Sequence, residues 1–198
     1  MNKDILIQFL ESSKVIDKQT SFLIAEAFEP KQLEKGDLLL REGEISDEYL
    51  FLEKGFIRSF IYDTEGNDIT LNFYGQQQVV FEVASFFQRI PSQEYFEATN
   101  NSFGWVLTYE KLNRLFHSLP QFREFGRSML VKGFIDFKSR TLSLINKTAE
   151  ERYEMLIVSK PEIFQNASLK HIASYLGVTD TSLSRIRKKF TQKSFLAK

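Results

Sequence analysis

With 198 residues, 42% of them hydrophobic and 26% charged, the chain has the composition of a soluble globular protein of one or two domains, large enough to bury a real core. No apolar run reaches the ~18 residues of a membrane span, the N-terminal MNKDILIQFLESSK carries acidic residues and no cleavable signal pattern, and a cytoplasmic location is expected. The absence of cysteine excludes disulfides, thiolate zinc sites and cysteine-held iron–sulfur clusters.

The formal net charge of zero conceals an asymmetry. Residues 1–100 hold 9 Lys+Arg against 18 Asp+Glu, a net of −9, whereas residues 168–198 hold 7 basic residues against Asp180, a net of +6. An acidic body with a basic end suits a binder of polyanions in which one domain touches the ligand.

Residues 3–28 carry helical periodicity, with Ile5, Phe9, Phe22, Leu23 and Ala27 on apolar faces and an interruption near Ser12–Asp17. From Gln32 the period shortens to that of strands punctuated at Gly36, Gly43, Gly55, Gly66 and Gly75. Phe56, Arg58, Phe60 and Tyr62 alternate with Ile57, Ser59 and Ile61, and Asp63–Asp68 reads as a hairpin turn into Ile69–Phe73. Further strands are expected at Val79–Phe81, Tyr95–Ala98 and Phe103–Thr108. Many short strands with regular turns indicate an antiparallel barrel or jelly roll.

Tyr109–Phe116 reads as a short amphipathic helix, followed after Leu119-Pro120 by a long one from Gln121 to Asn146. Leu130, Phe134, Phe137, Thr141 and Leu144 form one stripe; Phe122, Phe125 and Met129 begin another. Two stripes let the helix pack on its own barrel and on a partner helix, with Gly126 and Gly133 permitting close approach. The segment 148–159 begins with Thr148 as N-cap and Glu151 at the capping-box position, and Pro161 stops it.

The stretch Ser168–Phe190 contains two helical patterns around one glycine. Leu169, Ile172, Ala173 and Leu176 form a single stripe behind Ser168 as N-cap. Gly177 supplies the turn, and Thr179 or Asp180 caps a second helix whose inner face is Leu183, Ile186 and Phe190. Its outer face is hydroxyl-rich and basic. Two short helices, a glycine turn and that outer face describe a helix-turn-helix, which lays its second helix in the major groove of DNA.

IASYLGVTDTSLSRIRKKF closely resembles the helix-turn-helix of the Crp/Fnr family of bacterial transcription regulators, especially Bacteroidetes-type members. The resemblance extends upstream. Lys35-Gly36-Asp37, Arg41-Glu42-Gly43 and Leu52-Glu53-Lys54-Gly55 match the opening turns of the family's cyclic-nucleotide-binding β-roll, and RYEMLI followed by proline matches its later helix. The implied fold is α+β: a β-roll sensor domain with N-terminal helices at 1–120, a dimerisation helix at 121–146 and a helix-turn-helix domain at 147–198.

The resemblance places the phosphate-binding cassette at Val79–Ala98, with candidate effector-pocket residues Val80, Phe81, Glu82, Val83, Ala84, Ser85, Ser92 and Gln93. Nucleotide-binding members open this cassette with Gly-Glu and close it with Arg-Ser or Arg-Thr. Here Phe81-Glu82 and Ser92-Gln93 stand instead, so glycine and arginine are missing and Glu94 and Glu97 lie close by. The expected effector is therefore something other than cyclic AMP, or there is none; haem is poorly served by His117 and His171, the two histidines.

In the family, three positions at the start of the recognition helix touch base edges, and they map to Asp180, Thr181 and Arg185. Arg185 can give two hydrogen bonds to a guanine. Ser182, Ser184, Lys188 and Lys189, with Thr179, Arg187 and Lys170, are assigned to the rest of the DNA-binding face. The implied partners are double-stranded DNA and a second copy of the chain; an activator would also need a surface for RNA polymerase. The alternative is a small-molecule-binding or protein-interaction β-roll whose C-terminal hairpin is structural. An enzyme on a cupin-like barrel needs a metal triad that two histidines outside the strands do not supply.

Overall fold

The computed structural model describes residues 2–196, with side chains as far as Gln192; Lys198 and the Lys193 side chain of the basic end lie outside the described residues. The elements run α1 (Asp4–Ser12), α2 (Lys18–Glu26), β1 (Glu29–Leu33), β2 (Leu38–Leu40), β3 (Glu48–Lys54), β4 (Ile57–Tyr62), β5 (Asp68–Tyr74), β6 (Gln78–Val80), α3 (Val83–Gln88), β7 (Tyr95–Ala98), β8 (Ser102–Thr108), α4 (Tyr109–Ser118), α5 (Pro120–Asn146), α6 (Ala149–Ser159), α7 (Ile163–Asn166), α8 (Leu169–Tyr175) and α9 (Asp180–Leu196). By contact the chain divides into two units, Met1–Ser59 with Phe73–Phe134, and Phe60–Asn72 with Ile135–Lys198.

The strands form two four-stranded sheets, ordered β1-β8-β3-β6 and β2-β7-β4-β5. Antiparallel pairing runs Glu29 opposite Val106, Leu50 opposite both Val106 and Val80, and Leu38 opposite Glu97. Leu33, Leu40, Leu50, Leu52, Ile57, Val80, Phe96 and Ala98 fill one buried cluster of the roll. A second joins the roll to α1, α2, α4 and the start of α5 through Leu6, Leu10, Ile24, Phe51, Phe86, Trp105, Leu112, Phe122 and Phe125. β8 and β3 approach closely at Gly104: a Cβ there would lie 2.3 Å from the Phe51 carbonyl oxygen.

Two apolar faces differ from the expectation. In α1 and α2 the buried residues are Leu6, Leu10, Ile24 and Ala25, while Phe22 and Leu23 are exposed, because the break at 13–17 resets the azimuth of the second helix. Gly126 does lie under the Phe116 ring, but nothing stands within 4 Å of a Cβ at Gly133, so that glycine permits no close approach inside the chain.

The second unit contains the C-terminal half of α5, α6 to α9 and the tip of the β4–β5 hairpin. The tip is held by Asp63, whose carboxylate accepts from the amides of Glu65 and Asn67, both at 2.9 Å. These bonds and the Asn67 side chain hold the Asp63 carboxyl below its ordinary range. The capping box of α6 forms between Thr148 and Glu151.

Candidate nucleic-acid interface and effector cleft

Ser168 caps α8 by accepting the His171 amide at 3.2 Å. The C-terminus of α8 closes in a Schellman arrangement: Val178 N donates to Ala173 O at 3.0 Å and Gly177 N to Ser174 O at 2.9 Å. Gly177 has φ +66°, in the left-handed region. The cap of α9 is Thr179, whose hydroxyl accepts from Ser182 N at 3.2 Å. Asp180 is the first residue of the helix.

Leu183 and Ile186 are buried with Ile172, Ala173 and Leu176. On the opposite side Thr179, Asp180, Thr181, Ser184, Arg185, Arg187, Lys188 and Lys189 are exposed, with Ser182 half-buried and Lys170 exposed on α8. Lys189 reaches Glu150 of α6 at 3.4 Å, a solvated pair of little energetic weight. The face is therefore a cationic and hydroxyl-bearing strip on one side of a helix whose other side is locked into the core.

In the roll, most of the candidate pocket residues are engaged in packing and hydrogen bonds of the fold itself. Val80 is buried in the core, and Phe81 packs against Tyr49, Phe86 and Phe87 at centroid distances of 5.1, 5.3 and 5.9 Å. Glu82 caps α3: its carboxylate accepts from the amides of Ala84, at 3.0 Å, and Ser85. Ser85 Oγ accepts from Ser46 N at 2.8 Å, and Ser92 Oγ donates to Glu94 O at 2.9 Å. Val83, Ala84 and Gln93 are exposed. A small cleft of about 120 Å³ remains, lined by Leu39, Leu40, Glu44, Ile45, Ser46, Asp47, Glu48, Phe81, Glu82 and Phe96. Of the eight candidates, the structure brings only Phe81 and Glu82 to it.

The nearby cations are committed elsewhere. Arg58, 4% exposed, pairs with Glu97 at 2.8 Å. Arg89 pairs with Asp47 at 2.7 Å, donates to Ser46 O and lies 4.2 Å over the Tyr109 ring. Burial raises the Glu94 carboxyl pKa, the Ser59 hydroxyl works against that rise, and the Glu82 charge adds to it. Among the described residues no group of three His, Asp or Glu is placed to hold a metal ion, and no helix is long and apolar enough to cross a membrane.

The cyclic nucleotide-binding domain model matches residues 30–118. The transcriptional activator protein Anr of Pseudomonas protegens is 24% identical over 179 residues, spanning 84% of this chain and 72% of Anr. Among solved structures, FixK2 from Bradyrhizobium japonicum superposes with a TM-score of 0.74 at 16% identity, over 84% of this chain and 86% of that one. A Eubacterium rectale protein assigned to the Crp/Fnr family of transcriptional regulators superposes at 0.70, with 15% identity over 94% and 88% of the two chains. In sequence and fold the chain is similar to regulators of the Crp/Fnr family.

Two arginines of the second unit stand out that the motif reading passed over. Arg140 of α5 and Arg152 of α6 both donate to carbonyls at the end of α8. Their targets lie 35 and 24 residues away in sequence, and no local pattern announces such a contact. The α5 stripes, by contrast, separate cleanly. Phe122 and Phe125 are buried, whereas Phe134 and Phe137 are 66% and 65% exposed, with Leu130, Ile135, Leu142, Leu144 and Ile145 also open.

Proposed function

We propose that this chain is a dimeric, sequence-reading DNA-binding regulator of transcription that acts in the cytoplasm without cyclic AMP as its effector. The observation that carries the reading is the outer face of α9. It presents Thr181, Ser184, Arg185, Arg187 and Lys188 to solvent from a helix fixed by Leu183 and Ile186. Among the described residues nothing engages the Arg185 guanidinium, which leaves its fork available for the O6 and N7 of a guanine. Lys188 and the hydroxyls suit phosphates. Thr179 is spent as the cap, so its side chain is less suited to DNA than its neighbours.

Dimerisation is supported by the apolar side of α5, where Phe134, Ile135, Phe137 and Ile145 are each more than half exposed. A helix rarely leaves such a run in water unless a second helix covers it. A two-fold pair would set two recognition helices about 34 Å apart on a palindromic site. Against a cyclic nucleotide stand the Glu82 carboxylate at the α3 N-terminus, the neighbouring Glu94 and the prior commitment of Arg58 and Arg89. A cleft of about 120 Å³ is also well below the ~300 Å³ where small-molecule pockets begin.

The test is selection of bound duplexes from a random pool by wild type and Arg185→Ala. The expected result is a palindromic motif that relaxes at one position per half-site in the variant. Failure of the wild type to enrich any motif, with weak binding insensitive to salt, would overturn the reading.

A further inference from the structure

An α-helix ends with carbonyls that have no partner inside it, and α8 accounts for all of its own. Ile172 O accepts from Leu176 N, while Ala173 O and Ser174 O are closed by the Schellman bonds. Tyr175 O and Leu176 O remain, immediately before Gly177. Tyr175 O is met by Arg140 Nη2 at 3.1 Å, and the same guanidinium stacks 4.3 Å over the Tyr175 ring. Leu176 O is met twice by Arg152, from Nη2 at 2.8 Å and Nε at 3.1 Å. The third arm of Arg152, Nη1, donates to Lys147 O at 2.7 Å, the residue after the end of α5.

We infer that Arg140 and Arg152 are positioning residues for DNA reading: they fix the turn of the helix-turn-helix to α5 and to the α5–α6 joint. The inference rests on the DNA-reading proposal above. The arms are placed where cations are favoured, at the negative end of a helix dipole, and the arginine fork fixes direction as well as charge. Asp180 opens α9 three residues beyond Gly177, so the azimuth and depth of Arg185 follow the turn. Leu144 lies against that turn too, 3.6 Å from where a Gly177 Cβ would stand. The C-terminal half of α5 and the reading head are thus joined by both guanidinium groups and by Leu144.

The experiment compares dissociation constants for the selected operator and for a scrambled duplex of equal length, at one salt concentration, with wild type, Arg140→Ala, Arg152→Ala and Arg152→Lys. Misplacing Arg185 should lower operator affinity roughly 10- to 100-fold, the range of a lost bidentate base contact. Scrambled-duplex binding should change less than about threefold, because at most one phosphate-range charge is lost. Arg152→Lys keeps the charge but not the fork and should fall with Arg152→Ala. Arg140→Ala removes one hydrogen bond and the stacking on Tyr175, against three hydrogen bonds for Arg152→Ala, so it serves as the milder probe if Arg152→Ala does not fold. An unchanged operator-to-scrambled ratio in every variant overturns the inference alone, as does a parallel fall in both affinities. A wild type that prefers no duplex overturns the DNA reading, and the inference with it.

Discussion

The backbone amide of Thr70, near the outer end of the β4–β5 hairpin, donates to the Ser174 hydroxyl of α8 over 2.8 Å. The same hydroxyl donates to Asp68 O at 3.3 Å. A helix side chain therefore stands at the edge of β5 where a strand would otherwise bond, and Thr70 is only 1% exposed. Ser174→Ala removes the acceptor of a buried amide and should cost about 1–2 kcal/mol of stability of the C-terminal unit. Denaturant unfolding followed by hydrogen exchange tests this. Exchange at Thr70 should accelerate in the variant, and an amide that stays equally protected would show that the contact carries no weight.

Phe134 and Phe137 offer a direct test of the dimer. Phe134→Glu with Phe137→Glu should convert the protein to a monomer by light scattering, since burying two unpaired carboxylates costs several kcal/mol. Both side chains are about two-thirds exposed in the single chain, so the fold itself should melt within a few degrees of wild type. Operator affinity should fall at least tenfold with the loss of the second half-site. A double variant that remains dimeric would move the interface off this face.

How much of this was legible in the sequence depends on the range of the interaction. The Gly177 turn and the Thr148–Glu151 box were readable because each is closed within a few residues. The two stripes of α5 were readable as stripes, and periodicity alone could not say which one the roll would cover. Phe22 and Leu23 were misplaced because a break of a few residues between helices erases the phase that periodicity supplies. Glu82 was the subtler case. Its place in the cassette made it a candidate pocket residue, but its carboxylate accepts from the α3 amides of Ala84 and Ser85. Ser174, Arg140 and Arg152 were invisible, since their partners are set by topology.

Glu94 gives a pH signature. Burial holds its carboxyl above the ordinary 4.5. A carboxyl raised in the folded state binds more protons folded than unfolded. Its contribution is therefore fully favourable below the unfolded value and is lost as pH rises through the folded one. Glu94→Gln, which has no charge to bury, should melt above wild type at pH 7 and converge with it near pH 4. Melting curves offset by the same amount at both pH values would assign the gain to packing instead.

Two glycines should lose stability to the same methyl group for different reasons. Gly104→Ala places Cβ 2.3 Å from the Phe51 carbonyl and 2.7 Å from Leu50 Cδ1, so β8 and β3 must part. Overpacking of that kind costs about 2–3 kcal/mol, and it should appear in the unfolding of the roll. Gly177→Ala meets nothing nearer than 3.6 Å, yet its φ of +66° remains. The penalty there is conformational, about 1 kcal/mol, and confined to the C-terminal unit. Asparagine tolerates that region better than alanine, so Gly177→Asn should recover part of the loss, whereas Gly104→Asn should be worse than Gly104→Ala. Urea titrations of the four variants decide it: a ranking in which asparagine is the worse substitute at both positions would mean that space, and not backbone conformation, selects glycine at the turn.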